Sequence, residues 1–463
     1  MTRRRQRRQS YAERLSTRAA APPAEPPDGR ARLPVAALVL LFVFFAWLHI
    51  NSTPLASSGS FINAPDERAH VAYVEAIALS RRPPVRDDPI HRTYQWHQPP
   101  LYYAVASAAY RLGLTGMRSV SVLFGIVSLW ALWSATLIVC PGRPVVSFLS
   151  VGLAALIPMR HAVLSAVGND SATECVFSLA LYTMALLCRR GWTIPRSVAL
   201  AGILGVGLWT KSTCLLLLLP AAVALWVAAR GEPATARLGR TVSPIIAAVV
   251  LASPWYVRNW KLYGEVLPLR AFQQEFAGTS RARDWIGKQH LSLDLWSGDL
   301  RPGPLMDVQG YATLVTNWTA RTFFAAYTPP AKQTIGAPVF LPGGAYLLFY
   351  AILAFGLLGL VWPLKGEASD GGSQRCAATV FGMTVILVVG SFALFAATYF
   401  QAQGRYLYPT ILPISIGWAS GFENLTPPKY RWRLAVLVLS ILVLLSVAFA
   451  LLYVAPAYRG SSL

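Results

Sequence analysis

The 463 residues are 55% hydrophobic and 13% charged. That excludes an ordinary water-soluble domain, in which about a quarter of residues are charged. The formal net charge of +21 sits largely in the Arg-rich stretch 3–32 and in short loops between apolar runs. This pattern fits positive-inside orientation and attraction to anionic lipid. No nucleic-acid-binding module accompanies the charge, so a nucleic-acid role is set aside.

Residues 1–32, with Ala21-Pro22-Pro23 and Pro26-Pro27, read as a disordered basic cytoplasmic tail. The tail is too long for a signal peptide, and the run 33–50 lacks a small-residue cleavage site. Apolar runs follow at 33–50, 119–140, 145–166, 171–188, 197–210, 212–229, 241–257, 340–362, 377–399, 407–424 and 434–455. Several approach the roughly 20 residues a helix needs to cross the hydrocarbon core. They must be helical, because lipid offers the backbone no partners and the alternation of barrel strands is absent. The fold class is therefore an all-α polytopic membrane protein with about eleven transmembrane helices.

Residues 99–112 are apolar but short for a span. Counting them as a crossing would put Arg189-Arg190, Arg230/Arg237/Arg240, Lys365/Arg375 and Lys429/Arg431/Arg433 outside. Reading them as an interfacial helix in the first outer loop puts all four clusters inside, and the charge rule selects that reading. The N-terminus is then cytoplasmic and the C-terminus outside. Four regions follow: the tail 1–32, a membrane core 33–257 that includes the outer loop 51–118, a large outer loop 258–339, and C-terminal helices 340–463. The second loop is too long to be a simple connector. Cys140, Cys175, Cys188, Cys214 and Cys376 fall in spans or at cytoplasmic ends, so no disulfide framework is expected.

Polar residues cluster where these spans meet the outer side. Asn63-Ala64-Pro65-Asp66-Glu67-Arg68-Ala69-His70 opens a helix, with Asn63 suited to cap it and Asp66 to act as a capping-box acid. Asp66 and His70 are four apart and share a face, so they can orient a hydroxyl and take its proton. A divalent metal at Asp66, Glu67 and His70 stays open, since this spacing is weak metal evidence. His97-Gln98 precede Pro99-Pro100-Leu101-Tyr102-Tyr103 in the same loop. Asn169-Asp170 end the third span, where a helix cap is an equal reading. Lys211 lies between two short apolar runs, and a lysine at bilayer depth is expensive. Arg258-Asn259 and Gln403-Gly404-Arg405-Tyr406 place arginines outside, against the usual bias; a guanidinium there can fork onto phosphate. Gly404 would let a ligand approach the backbone. No Walker loop, GxGxxG after a strand, CxxC pair or GxSxG elbow stands where it would work, which argues against ATP-driven and nicotinamide chemistry.

In order along the chain, these motifs resemble the GT-C superfamily of membrane glycosyltransferases. The pattern is similar to bacterial relatives of the protein O-mannosyltransferases and of the lipid A aminoarabinose transferase. The resemblance runs from about residue 33 to 424, on Pro65-Asp66-Glu67 with His70, His97 to Tyr103, Asp170, Thr210-Lys211, Pro254 to Asn259, and Gln403 to Tyr406. It implies a sugar donor on a polyprenyl phosphate, inverting transfer, and a site on the outer face of the cytoplasmic membrane. It also implies Asp66 as general base, with Glu67 as its paired alternative, and Asp170 as the acid that orients acceptor or sugar. Lys211, Arg258 and Arg405 would meet the leaving phosphate. His70, His97, Gln98, Tyr102, Asn169, Asn259, Gln403 and Tyr406 complete the substrate-binding set. The acceptor would be a glycan, lipid or protein. Three other readings compete: a secondary transporter, disfavoured by the lack of a repeat and of a clear mid-bilayer acid; a non-catalytic envelope-polymer assembly protein; and a ligase using diphosphate-linked donors.

Overall fold

The computed structural model describes residues 29–57, 59–332, 337–361 and 371–459. The disordered tail expected for 1–32 falls outside them up to residue 28, and the chain is helical from Gly29. The α-helices of seven or more residues in order are α1 Gly29–Ser52, α2 Glu67–Ser80, α3 Leu101–Ser107, α4 Gly113–Val139, α5 Pro144–Ala155, α6 Pro158–Leu164, α7 Asn169–Arg190 and α8 Ile194–Leu208. Then come α9 Leu218–Ala228, α10 Ala234–Tyr263, α11 Leu269–Glu275, α12 Val308–Phe324, α13 Gly343–Val361, α14 Gly371–Thr398, α15 Ile411–Leu425 and α16 Arg431–Ala448. A hairpin of β1 His290–Leu293 and antiparallel β2 Leu300–Leu305 stands between α11 and α12.

Among the described residues, six helices are long and apolar enough to cross a membrane, or seven if the bent pair α5–α6 counts as one span. Three shorter apolar helices, Ile194–Leu208, Ser212–Ala228 and Gly343–Gly359, accompany them. The chain is a multi-pass, all-α membrane protein; a total of eleven crossings stays an expectation from hydropathy. The debated segment forms α3, only seven residues long and far short of a crossing.

The run 145–166 is not one straight helix. Pro158 bars the normal hydrogen bond at its position, and α6 turns from α5 by 61°. Arg160 Nη1 donates to the freed Ala154 carbonyl at 2.9 Å, and His161 Nε2 lies 2.5 Å from that of Ala155. The Arg160 charge is met by Glu174 on α7 at 2.5 Å, both side chains being fully buried. Hydropathy had singled out no such acid inside a span. Glu174→Ala would leave a buried guanidinium unpaired and is expected to cost about 3–5 kcal/mol of stability. A thermal melt in detergent should show it, and an unchanged midpoint would contradict it.

Cys188, near the end of α7, and Cys376, near the start of α14, form a disulfide. The expectation of none is corrected: the two helices pack together and bring residues far apart in sequence within bonding distance.

The loops 51–118 and 258–339 meet at one end of the bundle. The Arg86 amide donates to the Tyr263 hydroxyl at 3.1 Å, and Arg86 Nη1 donates to Gln274 at 2.7 Å. In the second loop Met306, Tyr311, Leu314 and Val315 form a small apolar cluster with Ala396, next to Phe392 and Phe400. That cluster seats the loop against the end of α14.

Candidate active site

The irregular stretch before α2 ends on Asp66, in the left-handed conformation with φ 58°. A non-glycine residue there is strained and needs support from its surroundings. Its amide donates to Ser60 Oγ at 2.8 Å. The Asp66 carboxylate makes no cap bond to its own helix. It turns instead to Tyr94, whose hydroxyl donates to Oδ1 at 3.0 Å, and to Arg405 Nη2, 2.6 Å from Oδ2. Asn63, expected to cap the helix, binds the Thr328 amide and the Tyr458 hydroxyl.

The second acid, Asp170, occupies the first turn of α7. Arg405 Nη1 donates to its Oδ2 at 2.9 Å and Lys211 Nζ to its Oδ1 at 2.5 Å. One guanidinium thus bridges two carboxylates from separate loops, while its Nε donates to Gln403 at 2.7 Å. The Arg405 side chain is 6% exposed, and the Tyr406 ring lies 5.0 Å from its centre. Lys211 is exposed to the site because the chain leaves helical geometry between α8 and the 3-10 segment Ser212–Leu217. Gly404 has a different role from the one its sequence suggests. A Cβ there would lie 2.3 Å from the Phe323 backbone, so the glycine admits α12 and not a ligand.

Two carboxylates and two cations leave this cluster formally neutral. Burial pushes the Asp66 carboxyl up, but Arg405 and the Tyr94 hydroxyl hold it below its ordinary value. Burial lowers His70 and His97 to about 4, so both imidazoles are neutral at physiological pH. Gln98 Oε1 accepts from Asn169 Nδ2 at 3.0 Å, and Gln98 Nε2 lies 2.9 Å from His97 Nε2.

A cavity of about 580 Å³ opens on the cluster. Asp66, His70, His97, Gln98, Asn169, Asp170, Lys211, Asn259, Gln403, Arg405 and Tyr406 all line it. Apolar side chains line it as well: Phe177 and Leu216 from the bundle, Phe272 and Phe276 from the 264–280 segment, and Phe392 and Phe395 from α14, with hydroxyl and amide side chains such as Thr173, Thr213 and Gln273 between them. The cavity is therefore amphipathic, with aromatic rings packed beside its polar groups: Phe272 lies 4.9 Å from the His97 ring, and Phe392 and Phe395 lie 5.7 and 5.8 Å from that of Tyr406.

The sequence matches no family model and no curated protein. Solved structures do match. ArnT from Cupriavidus metallidurans bound to undecaprenyl phosphate aligns over 94% of this chain and 74% of its own, at 14% identity and a TM-score of 0.51. This is the GT-C fold. The oligosaccharyltransferase of Archaeoglobus fulgidus in the apo form is also similar, at 11% identity and a TM-score of 0.47, over 93% of this chain and 56% of that one.

Within the GT-C fold, three of the expected site residues lie elsewhere. Glu67 points away from the cavity into an ion pair with Arg118 at 2.6 Å. Tyr102 is fully buried and shares its hydroxyl with Ser121 and the Gly168 amide. Arg258 donates to the Pro84 carbonyl at 2.8 Å and lies over Trp255, because α10 runs on past residue 257. Asp66, Glu67 and His70 do not converge as a metal donor set, and no group of three or more His, Cys, Asp or Glu is placed to hold a metal among the described residues. Tyr94 stands in the same polar stretch as His97 and Gln98 but was not among the expected site residues, and the phenylalanines of the wall were not picked out from the sequence. The only sequence signal for them was helical spacing, at 272/276 and 392/395, which core residues share.

Proposed function

We propose that the protein is a membrane glycosyltransferase. It moves a sugar from a polyprenyl-phosphate donor to an acceptor hydroxyl on a glycan, lipid or protein, with inversion, at the outer face of the cytoplasmic membrane. One observation carries the reading: Arg405 is held between Asp66 and Asp170, beside Lys211, in a cavity that phenylalanine rings also line. Cations suit a lipid phosphate, and the phenylalanine wall suits its hydrocarbon chain. The ArnT structure of the same fold holds undecaprenyl phosphate, which supports this ligand chemistry here.

In this mechanism Asp66 takes the acceptor hydroxyl proton as the oxygen attacks the anomeric carbon. The bond from that carbon to the phosphate oxygen breaks on the opposite side, which inverts the centre. Arg405 and Lys211 meet the charge growing on the leaving phosphate. Asp170 holds both cations at its two oxygens. The products are the glycoside and polyprenyl phosphate, with the proton on Asp66.

Purified protein in nanodiscs, supplied with lipid-linked sugars and envelope glycans from its own membranes, should release polyprenyl phosphate and glycosylate an acceptor. Mass spectrometry reads both products, and no turnover with either pool ends the enzyme assignment. Orientation has its own check. A cysteine at Gln289 should react with an impermeant thiol reagent in whole cells, and one at Thr235 should not. The reverse pattern would place the site on the cytoplasmic side.

A further inference from the structure

Glu67 follows Asp66 directly, yet its carboxylate serves a different network. Arg118 Nε and Nη2 donate to it at 2.7 and 2.6 Å, and the Val167 amide donates to the same carboxylate at 2.8 Å. Arg118 Nη1 donates to the carbonyls of Ile50 and Thr53, at the end of α1. A single buried ion pair therefore gathers the end of α1, the start of α2, the body of α4 and the strap 167–169.

That strap leads straight into Asp170. Its other tethers also run to neighbours of the cavity. The Gly168 amide donates to the Tyr102 hydroxyl at 2.9 Å, and the Asn169 side chain donates to Gln98 and, at 3.3 Å, to the Thr210 carbonyl next to Lys211. Glu67 is thus one residue from one cavity acid and holds the strap three residues before the other. Stability alone does not call for such a pair, since apolar packing of the same volume is often as stable. A doubly forked arginine–carboxylate pair does fix distance and direction.

We propose that Glu67 and Arg118 are positioning residues that set the spacing between Asp66 and Asp170, and so hold Arg405 and Lys211 where a phosphate is received. What the acids do rests on the transferase reading; the spacing itself can be measured without it. Cysteines replacing Gln98 and Asn169 should be joined readily by a short thiol-specific bifunctional reagent in purified full-length protein, because the native side chains meet at 3.0 Å, while a direct disulfide would need the Cβ atoms themselves closer than two meeting side-chain tips require. Adding Glu67→Ala should slow that cross-link roughly ten-fold, as a small displacement of paired groups has a large kinetic effect. Glu67→Gln, which keeps an acceptor for Val167, should slow it less and serves if the alanine variant does not fold. Arg143→Gln breaks an ion pair with Glu423 at the far end of α4. It should lower the melting midpoint and leave the cross-link rate unchanged.

An unchanged rate in the Glu67 variants, or equal slowing by Arg143→Gln, overturns the positioning role. Undecaprenyl phosphate binding is the second readout, and Glu67→Ala should weaken it roughly ten-fold. Undiminished binding in that variant counts against positioning. Failure of the unmodified protein to bind the lipid overturns the transferase reading instead, while the cross-link still decides the role of Glu67.

Discussion

Arg405→Ala is expected to slow sugar transfer by about 10³-fold, and Arg405→Lys by about 10²-fold, the scale seen when a fixed donor to developing charge is removed. The guanidinium uses separate nitrogens for Asp66, Asp170 and Gln403. An ammonium is a point charge on a flexible stem and cannot hold that fork. Alanine does more harm, because it leaves two partly buried carboxylates facing a shared gap without the cation that joins them. With Arg405 gone, the strongest influence favouring the ionised Asp66 carboxyl is removed and burial pushes that carboxyl up. The measurements are the rate of polyprenyl phosphate release and the affinity for undecaprenyl phosphate. Both should fall together in Arg405→Ala. A variant with normal rate and normal affinity would remove the phosphate site from the proposal.

The charged members of the cluster were legible because apolar context makes them conspicuous. Asp170, Lys211 and Arg405 each stand at the edge of a hydrophobic run, where charge is costly, and Asp66 was marked by its place four residues before His70 at a helix start. Their convergence was expected from topology alone, and the structure brings all four within hydrogen-bonding distance of one another in a chain. What sequence could not supply was direction. Asp66 and Glu67 are adjacent acids, and the sequence favoured Asp66 only by its spacing to His70 and by resemblance. The left-handed backbone at Asp66 sends one to the cavity and the other to Arg118. Arg258 failed for a related reason. Ending the span at 257 would place it in a loop, but α10 continues to Tyr263 and fixes its side chain toward Pro83 and Pro84.

The aromatic lining of the cavity was hidden for another reason. Phe272 and Phe276 belong to the long loop, and Phe392 and Phe395 to a span more than a hundred residues on. Each reads locally as ordinary apolar sequence. Only the packing of the 258–339 loop against the end of α14 makes them one wall. The fold itself was readable because hydropathy and positive charge act over whole segments. The broken helix at Pro158 and the Arg160–Glu174 pair show the limit. They depend on which carbonyls a break leaves bare and which side chain is near enough to cover them.

Asp66→Asn should abolish measurable transfer, a fall of about 10²–10⁴-fold for losing a general base. Membrane levels should hold, since asparagine keeps the shape and can still accept from Tyr94. The pH dependence separates this role from a purely structural one. In the folded protein the Asp66 carboxyl lies below its ordinary value, so its ionised form contributes stability above the unfolded value, and that contribution is lost as pH falls through the folded one. Wild type should therefore lose melting midpoint in acid over that window, and Asp66→Asn should be flatter there. Activity should respond at higher pH than stability does. An incoming phosphate competes for Arg405, and a base that shares its guanidinium with the donor is held less firmly in the ionised state. The acid limb of the rate profile should thus lie above the acid limb of the melting profile in the unliganded protein. If Asp66→Asn transfers sugar at the wild-type rate, the proton is accepted elsewhere, with His70 the neutral imidazole on the same wall.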